Sequence, residues 1–308
     1  MKSLYKHIKT TFTILLLSVS GIVLNAQTFP SLLLDHDPSS LAKGMSGVAS
    51  DAGAFAVQNN IAAISISEKT MDAQATLGIW QPSYSNNKTI GAGAMYHAGK
   101  LGFAIDFKML KLPSYSGVSG SGSDIRDSEY SPNETNIAVG ASYAFIDCLS
   151  AGVTLRYAGS SLAPDASAAV FGADIALYFK KNGLSAGLSV NNIGTKVKYH
   201  ETAYPQPMLA KLGAGYDLDF GTSSLAFSAE ADVLFAGGMM AGVGCEYSFN
   251  NMAFARAGYH YGNSVNAVPS YASVGLGLDV YGAELNVAYL FGSATLANSI
   301  CISLGYGF

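Results

Sequence analysis

The residues best suited to chemistry in this sequence are a short run of aspartate and histidine near the N-terminus. Asp35-His36-Asp37 places three possible ligands for a divalent cation in consecutive positions. An Asp-Pro step at residues 37 and 38 is also typical of a turn that starts a helix, with Asp37 as its N-cap. We favour the capping interpretation, and we predict no metal ion and no other cofactor.

The remaining histidines do not form a recognisable catalytic group. His97 and His260 lie in segments of regular alternation, and both fall on the face that we predict to point inward. Neither has a serine or aspartate at a spacing typical of a catalytic triad. The sequence therefore predicts a protein that is not an enzyme.

Isolated charged residues lie on one face of the alternating segments. Charges in an interior must line water or pair with opposite charges, because unpaired burial is costly. We interpret the inward set as a structural network around a hydrated lumen, with a polar conduit or a socket for another part of the chain as the alternative. Its members are Asp72, Asp106, Lys108, Arg156, Asp174, Glu230, Asp232, Glu246, Arg256, Asp279 and Glu284.

The elements that position these charges are strands with two unlike faces. From Leu101 to Met109, every odd position is large and apolar, and every even position is small or charged. A soluble sandwich would carry Lys and Glu on its outer face, whereas the second face here is mainly Gly, Ala and Ser. The pattern predicts an all-β transmembrane antiparallel barrel with its apolar face on lipid. Since a membrane strand needs about 9–11 residues, the chain from residue 71 onward accommodates about fourteen strands.

Composition supports this class and argues against others. Charged residues make up 12% of the chain, whereas soluble domains carry about 25%. No segment after residue 26 approaches the roughly 20 apolar residues of a spanning helix. The 17 basic and 21 acidic residues give a net charge of −4, which argues against nucleic acid as a partner.

We divide the chain into three parts. Residues 1–26 have a basic start and a short apolar stretch, which predicts a signal peptide cleaved near Ala26 and export to the cell outer membrane. Residues 27–70 are rich in small and apolar residues, and we expect an N-terminal plug segment, named the plug below. Residues 71–308 form the barrel, and their alternating end from Ile300 to Phe308 resembles the C-terminal signature recognised during barrel assembly.

A long link, residues 114–132, is the predicted extracellular feature. Long loops often carry binding, since the barrel holds them while their sequence is free of packing demands. The candidate partner-binding residues are Asp124, Arg126, Asp127 and Glu129. The Ser/Gly-rich run from Ser116 to Ser123 supports the alternative of a flexible, solubilising loop.

Several motifs resemble those of the PorV/PorQ family, which belongs to the FadL-like barrels. The main match runs from Ala42 to Ala52 (AKGMSGVASDA) and continues at Asn60-Ile-Ala-Ala-Ile64. The family's Asn-Pro-Ala-Gly-Leu lacks its proline here. Further matches lie at Val190–Gly194, Leu212–Tyr216, Arg256–Tyr259 and Ile302–Tyr306.

The resemblance implies a fourteen-stranded outer-membrane barrel of the type IX secretion system. Its implied partners are outer-membrane lipid, secreted proteins with C-terminal signal domains, and other secretion-system components. A FadL-like channel for hydrophobic small molecules is the alternative, and a lipid-modifying barrel enzyme is a third. The small, acidic inward face favours the secretion role, because a transporter of apolar compounds would need an apolar inner pocket.

Overall fold

The alternating segments pair into one closed sheet. The computed structural model describes residues 29–82, 85, 87–119, 126–163, 166–199, 202–263, 266–293 and 295–308. Fourteen antiparallel strands close a barrel in which the first strand pairs with the last, and this confirms the predicted class and strand number. Two further hairpins form separate two-stranded sheets.

The strands follow the predicted segments closely, and short helices precede them. The strands are β1 Met71–Trp80, β2 Asn87–Ala98, β3 Leu101–Lys111, β4 Tyr115–Ser119, β5 Arg126–Tyr130, β6 Asn133–Ile146, β7 Leu149–Ala163, β8 Ala166–Lys181, β9 Leu184–Gly194, β10 Val197–Tyr199, β11 Thr202–Tyr204, β12 Leu209–Asp219, β13 Ser223–Leu234, β14 Met239–Phe249, β15 Ala253–Gly262, β16 Tyr271–Val280, β17 Ala283–Phe291 and β18 Ser299–Gly307. The helices are α1 Pro38–Ala42 and α2 Ala56–Asn59, with 3-10 helices η1 Pro30–Leu32 and η2 Ile61–Ile66.

The two faces of the barrel wall are as unlike as the alternation predicts. On β3, Phe103 and Ile105 are 44% and 53% exposed, whereas Asp106 and Lys108 are 0% and 1% exposed. The apolar side chains of β3 therefore point away from the lumen and the charged ones point into it.

Short turns gather at one end of the barrel. Asn182 and Gly183 between β8 and β9 have φ angles of 53° and 79°, the left-handed conformation of a tight hairpin turn. The start of β1 lies at this same end, where the Met71 and Phe308 backbones bond each other. Barrels of this architecture keep short turns in the periplasm and long loops outside.

The described residues of the long link at 114–132 include two paired strands, which form the base of a hairpin. Its strands β4 and β5 pair from Tyr115↔Tyr130 to Ser119↔Arg126. The rings of Tyr115 and Tyr130 meet edge to face with centroids 5.9 Å apart, and the Tyr115 hydroxyl donates to the Leu162 carbonyl of β7. These contacts fix the base of the hairpin on the barrel, which composition alone did not indicate.

The described part of the plug, residues 29–70, runs through the inside of the barrel. Helix η2 packs on β2, β3 and β6–β8, while α1 packs on β15–β18 across the lumen. Within the described ranges, no helix has both the length and the apolar content needed to cross a membrane.

Glycines let the plug backbone approach the wall closely. A Cβ on Gly187 of β9 would overlap the Val48 carbonyl oxygen. Gly44 has φ of 70°, and a Cβ there would overlap the Tyr259 backbone of β15. The glycine-rich inner face is therefore shaped to the plug.

Candidate functional site in the barrel lumen

Three apolar clusters seat the plug in the lumen. The first joins Leu41 and Met45 to Tyr271 and Leu290, and the second joins Ile61 and Ile64 to Met95 and Tyr178, among others. The third packs Phe29 and Leu32 against Ala158, Val170 and Val197. Because Val197 belongs to β10, the β10–β11 hairpin covers the plug at the long-loop end.

Asn60 fixes η2 to the β8 wall. Its side-chain amide donates to the carbonyls of Val48 at 2.8 Å and Leu177 at 3.0 Å, while its oxygen accepts from the Ala62 N–H and caps η2. The Ser150 hydroxyl of β7 donates to the Ala62 carbonyl at 2.6 Å. Backbone groups freed by the short helix are therefore satisfied by the barrel wall.

The opposite wall binds the plug through α1 and the segment after it. Ser273 of β16 donates to the Ala42 carbonyl at 3.0 Å, and His260 Nδ1 lies 3.2 Å from the Gly44 carbonyl oxygen. The Val48 N–H donates to Glu230 Oε2 at 2.7 Å. Wall side chains thus hold the plug backbone on both sides of the lumen.

A buried charged group lies where the plug crosses β3. His36 Nε2 is 2.9 Å from Asp106 Oδ2, and both side chains are 0% exposed. The Lys108 ammonium donates to the carbonyls of Ser31 at 2.6 Å and Leu34 at 2.7 Å. Asp106 and Lys108 therefore both bond groups of the plug.

The other predicted inward residues fall into pairs around the lumen. Arg156 Nη2 donates to Asp174 at 2.7 Å, Lys211 bonds Glu230 at 3.0 Å next to buried Asp232, and Arg256 pairs with Glu246. Lys69 of the plug bonds Asp72 and Glu284 at the short-turn end. Asp279 differs, because its carboxylate accepts from the Gly282 N–H and forms part of the β16–β17 turn.

The aspartate–histidine run has the structure of a helix cap. Asp37 is the N-cap of α1 and accepts from the Ser39 N–H at 2.8 Å, as predicted, while Asn59 donates to its other oxygen at 3.0 Å. Burial, and then the neighbouring Asp35 carboxylate, raise the pKa of Asp37. No metal-binding group of three or more His, Cys, Asp or Glu side chains occurs among the residues that the structure describes.

The predicted partner-binding residues belong, where the structure describes them, to the β4–β5 hairpin. Asp124 is outside the described residues, and Arg126 and Asp127 belong to β5. Glu129 is exposed and accepts from the Ser114 hydroxyl at 2.6 Å. Three of the four thus lie on a defined strand at the long-loop end.

Several lumen residues escaped the sequence reasoning. Glu134 accepts from the Ser31 N–H at 3.1 Å, and Asn136 is 1% exposed with no partner for its amide. Both sit on the even, inward phase of β6, so the alternation used for β3 would have found them. Asn60 could be found only through its place in the motif Asn60-Ile-Ala-Ala-Ile64.

A small cavity of about 20 Å³, with room for about one water molecule, lies between the plug and part of the wall. Its lining includes Gln58 of the plug and Arg156, Asn192, Leu209, Lys211 and Met240 of the barrel. It lies beside an irregularity in the wall, where the pairing of β8 and β9 shifts register between Ala173 and Ile175.

A closed fourteen-stranded barrel with an apolar exterior and a plugged, charged lumen defines the class of outer-membrane β-barrels. The family model "Type IX secretion system protein PorV" matches residues 22–236, more than two thirds of the chain. The chain therefore belongs to the PorV family. No curated protein matches the sequence significantly.

Solved structures share the fold at low sequence identity. The Pseudomonas putida toluene transporter TodX has a TM-score of 0.61 and 13% identity, with 90% of this chain and 99% of that chain covered. The Ralstonia pickettii toluene transporter TbuX has a TM-score of 0.59 and 13% identity over 89% and 98% of the two chains. A FadL homologue from Pseudomonas aeruginosa has a TM-score of 0.53 and 12% identity over 90% and 99%. These likenesses establish the barrel fold.

Proposed function

We propose that this protein is a non-enzymatic component of type IX secretion that binds secreted proteins bearing C-terminal signal domains and hands them to other components. Family membership supports the secretion role. The observation that carries the proposal is the plug, which is bonded to opposite walls of the lumen by Asn60 and by Ser273. A barrel whose lumen is filled by its own chain is better suited to binding partners at its two ends than to passing solutes through its lumen.

The long-loop end is the proposed docking side, with the β4–β5 hairpin as its main element. The hairpin stands on a fixed base, because Tyr115 and Tyr130 both bond β7. Glu129 supplies an exposed carboxylate there. A binding element held on a fixed base loses less conformational entropy on binding than an unanchored loop would.

Affinity capture from membranes solubilised in a mild detergent tests this proposal. We expect secreted proteins with C-terminal signal domains to copurify with the natural chain. They should be lost when residues 116–129 are replaced by a short Gly-Ser linker that leaves Tyr115 and Tyr130 in place. Tyr281→Ser, which changes a 95% exposed side chain at the opposite end, is the matched control and should retain capture. Equal capture by all three would contradict docking at the hairpin.

The proposed route to the outer membrane begins with cleavage near Ala26. We expect the protein isolated from membranes to start at Gln27, which intact mass measurement determines. A mature protein that retains residues 1–26 would exclude a cleaved signal peptide.

A FadL-like channel for hydrophobic small molecules is the second candidate. The register shift in the β8–β9 wall beside the cavity favours it, because a disrupted ladder is the place where a wall would open most easily to the side. Uptake of a labelled apolar compound into proteoliposomes distinguishes the two: transport without capture of secreted proteins would favour the channel.

A further inference from the structure

The outward face of the barrel wall carries very little charge. Every second residue of a barrel strand points away from the lumen, and these positions are occupied mainly by apolar and small residues. Among the described barrel strands, the charged residues on this face are Lys88, Lys111 and Lys181, and no Asp or Glu shares it. Lys181 lies beside the β8–β9 turn at the short-turn end, whereas Lys88 and Lys111 lie at the long-loop end. Charge on the outside is thus limited to cations near the two rims.

The two lysines at the long-loop end lie directly opposite each other, and we name them the lysine pair. Lys88 is the second residue of β2, Lys111 is the last of β3, and the strands pair at Lys88↔Lys111. Both residues are exposed. Like charges directly opposite in an antiparallel pair are destabilising, because their Cβ atoms are only about 4.5–5.5 Å apart. An anion bound between the two ammonium groups would remove this repulsion.

The carboxylates of the protein do not neutralise the lysine pair. No ion pair joins either lysine to an Asp or Glu among the residues that the structure describes. Glu129, the exposed carboxylate of the hairpin, accepts from the Ser114 hydroxyl. In the lumen, by contrast, Arg156 and Lys211 each bond a carboxylate. We therefore expect the anionic partner of the lysine pair to come from outside the barrel.

The neighbours of the lysine pair indicate what kind of anion fits. The next outward pair toward the middle of the barrel is Ile90↔Met109, and Ile90 is 52% exposed. On the β1 side, the residue opposite Lys88 is Ile79. The lysine pair thus lies at the edge of an apolar surface. A lipid could place a headgroup phosphate between the lysines and its acyl chains along Ile90 and Met109, whereas a free phosphate ion would use only the charge.

We propose that the lysine pair is a binding site for a phosphate-bearing lipid of the outer leaflet. Barrels of this architecture keep their long loops outside the cell, so Lys88 and Lys111 belong to the outer-leaflet side. Lysine side chains can lie along apolar surface and still bring the ammonium group to the headgroup level. The site does not rest on the proposed secretion role, because it is formed by the lipid-facing side of β2 and β3.

The test uses the full mature protein in an uncharged detergent, and native mass spectrometry measures the lipid that stays bound. The probe is diphosphoryl lipid A. Lipid A from which both phosphates have been removed keeps the acyl chains without the charge, and inorganic phosphate supplies the charge without the chains. We expect diphosphoryl lipid A to bind saturably and more tightly than the dephosphorylated lipid. Inorganic phosphate at the same concentration should not displace it.

Variants of the lysines locate the site. Lys88→Gln combined with Lys111→Gln should weaken binding of diphosphoryl lipid A about tenfold or more, because both charge-assisted bonds are lost. Lys88→Arg combined with Lys111→Arg keeps both charges and should retain binding. Lys181→Gln is the matched control, since it removes an outward lysine at the opposite rim, and it should bind as the natural chain does. Heat-modifiable mobility in gel electrophoresis verifies that each variant is folded.

A measurement without lipid tests the repulsion itself. In lipid-free detergent, Lys111→Gln should not lower the unfolding temperature, because it removes one of two opposed charges. A lower temperature would mean that Lys111 already has a stabilising partner in the protein, which contradicts the proposal. The proposal is also overturned if the natural chain does not bind diphosphoryl lipid A, if the dephosphorylated lipid binds equally, if inorganic phosphate displaces the lipid, or if the folded double glutamine variant binds like the natural chain.

Discussion

Buried charges in this lumen bond backbone groups of the plug as well as one another. Glu230 accepts from the Val48 N–H with one oxygen and from Lys211 with the other. Lys108 donates to two plug carbonyls. Such charge-assisted bonds fix the position of the plug, because each requires one backbone group in one place.

Glu230→Gln is therefore expected to loosen the plug. The amide cannot accept from both Val48 and Lys211, so one charged bond is lost, at about 1.5–3 kcal/mol. Denaturant unfolding of the detergent-solubilised protein measures the change in the free energy of unfolding. Glu68→Gln changes an exposed carboxylate and should be neutral. A Glu230→Gln protein as stable as the natural chain would show that the plug does not depend on this bond.

Lys69 predicts a pH dependence at the short-turn end. Burial opposes its charge, but Asp72 and Glu284 outweigh burial and raise the pKa of Lys69 above its ordinary 10.5. A raised lysine pKa gives stability that is fully present below the unfolded pKa and is lost as pH rises through the folded pKa. Between pH 9 and 12, unfolding temperatures of the natural chain should fall more steeply than those of Lys69→Met. Parallel pH curves would contradict this.

At the scale of elements, the strands could be predicted because their signal is local. Successive side chains of a strand face lipid and lumen in turn. Each strand's own sequence therefore shows the alternation of apolar and polar residues. The hairpins β4–β5 and β10–β11 could not be predicted in this way, because contacts with β7 and with the plug stabilise them. Composition alone made residues 114–132 resemble a flexible loop.

Which charge pairs with which depends on register between strands. Arg156 lies opposite Gly172 and reaches Asp174 diagonally, while Thr154 lies directly opposite Asp174. No feature of one strand specifies that alignment. The sequence therefore predicts which residues face the lumen, and the closed sheet determines their partners.

The lipid face of β3 gives a prediction for an entire strand. Ile105→Arg puts a charge on lipid and should cost about 2–4 kcal/mol near mid-membrane, reducing the folded fraction after assembly. Ile105→Leu keeps the apolar character and should assemble normally. Heat-modifiable mobility in gel electrophoresis reports the folded fraction. Normal assembly of the arginine variant would mean that Ile105 does not face the membrane interior.

For the whole molecule, the occupied lumen predicts a barrel that conducts little. In planar bilayers the natural chain should show no steady conductance. A variant that lacks residues 29–66 but keeps β1–β18 should show discrete, cation-selective steps, because Asp106, Glu230 and Asp232 would then face water. Equal conductance by both proteins would mean that the plug does not occlude the barrel.

The seam between β1 and β18 has a consequence for assembly order. The strands pair from Asp72↔Gly307 to Ile79↔Ile300, so this contact joins parts of the chain with a large separation in sequence. Contacts of that kind form late, since the loop between them must close first. The plug immediately precedes β1 and is bonded to β7, β8 and β16, so we expect it to be enclosed by the time the seam closes. On this order we expect an open, curved sheet around the N-terminal segment as the last state before closure. The unpaired edges of such a sheet would be β1 and β18, the two strands that the seam joins.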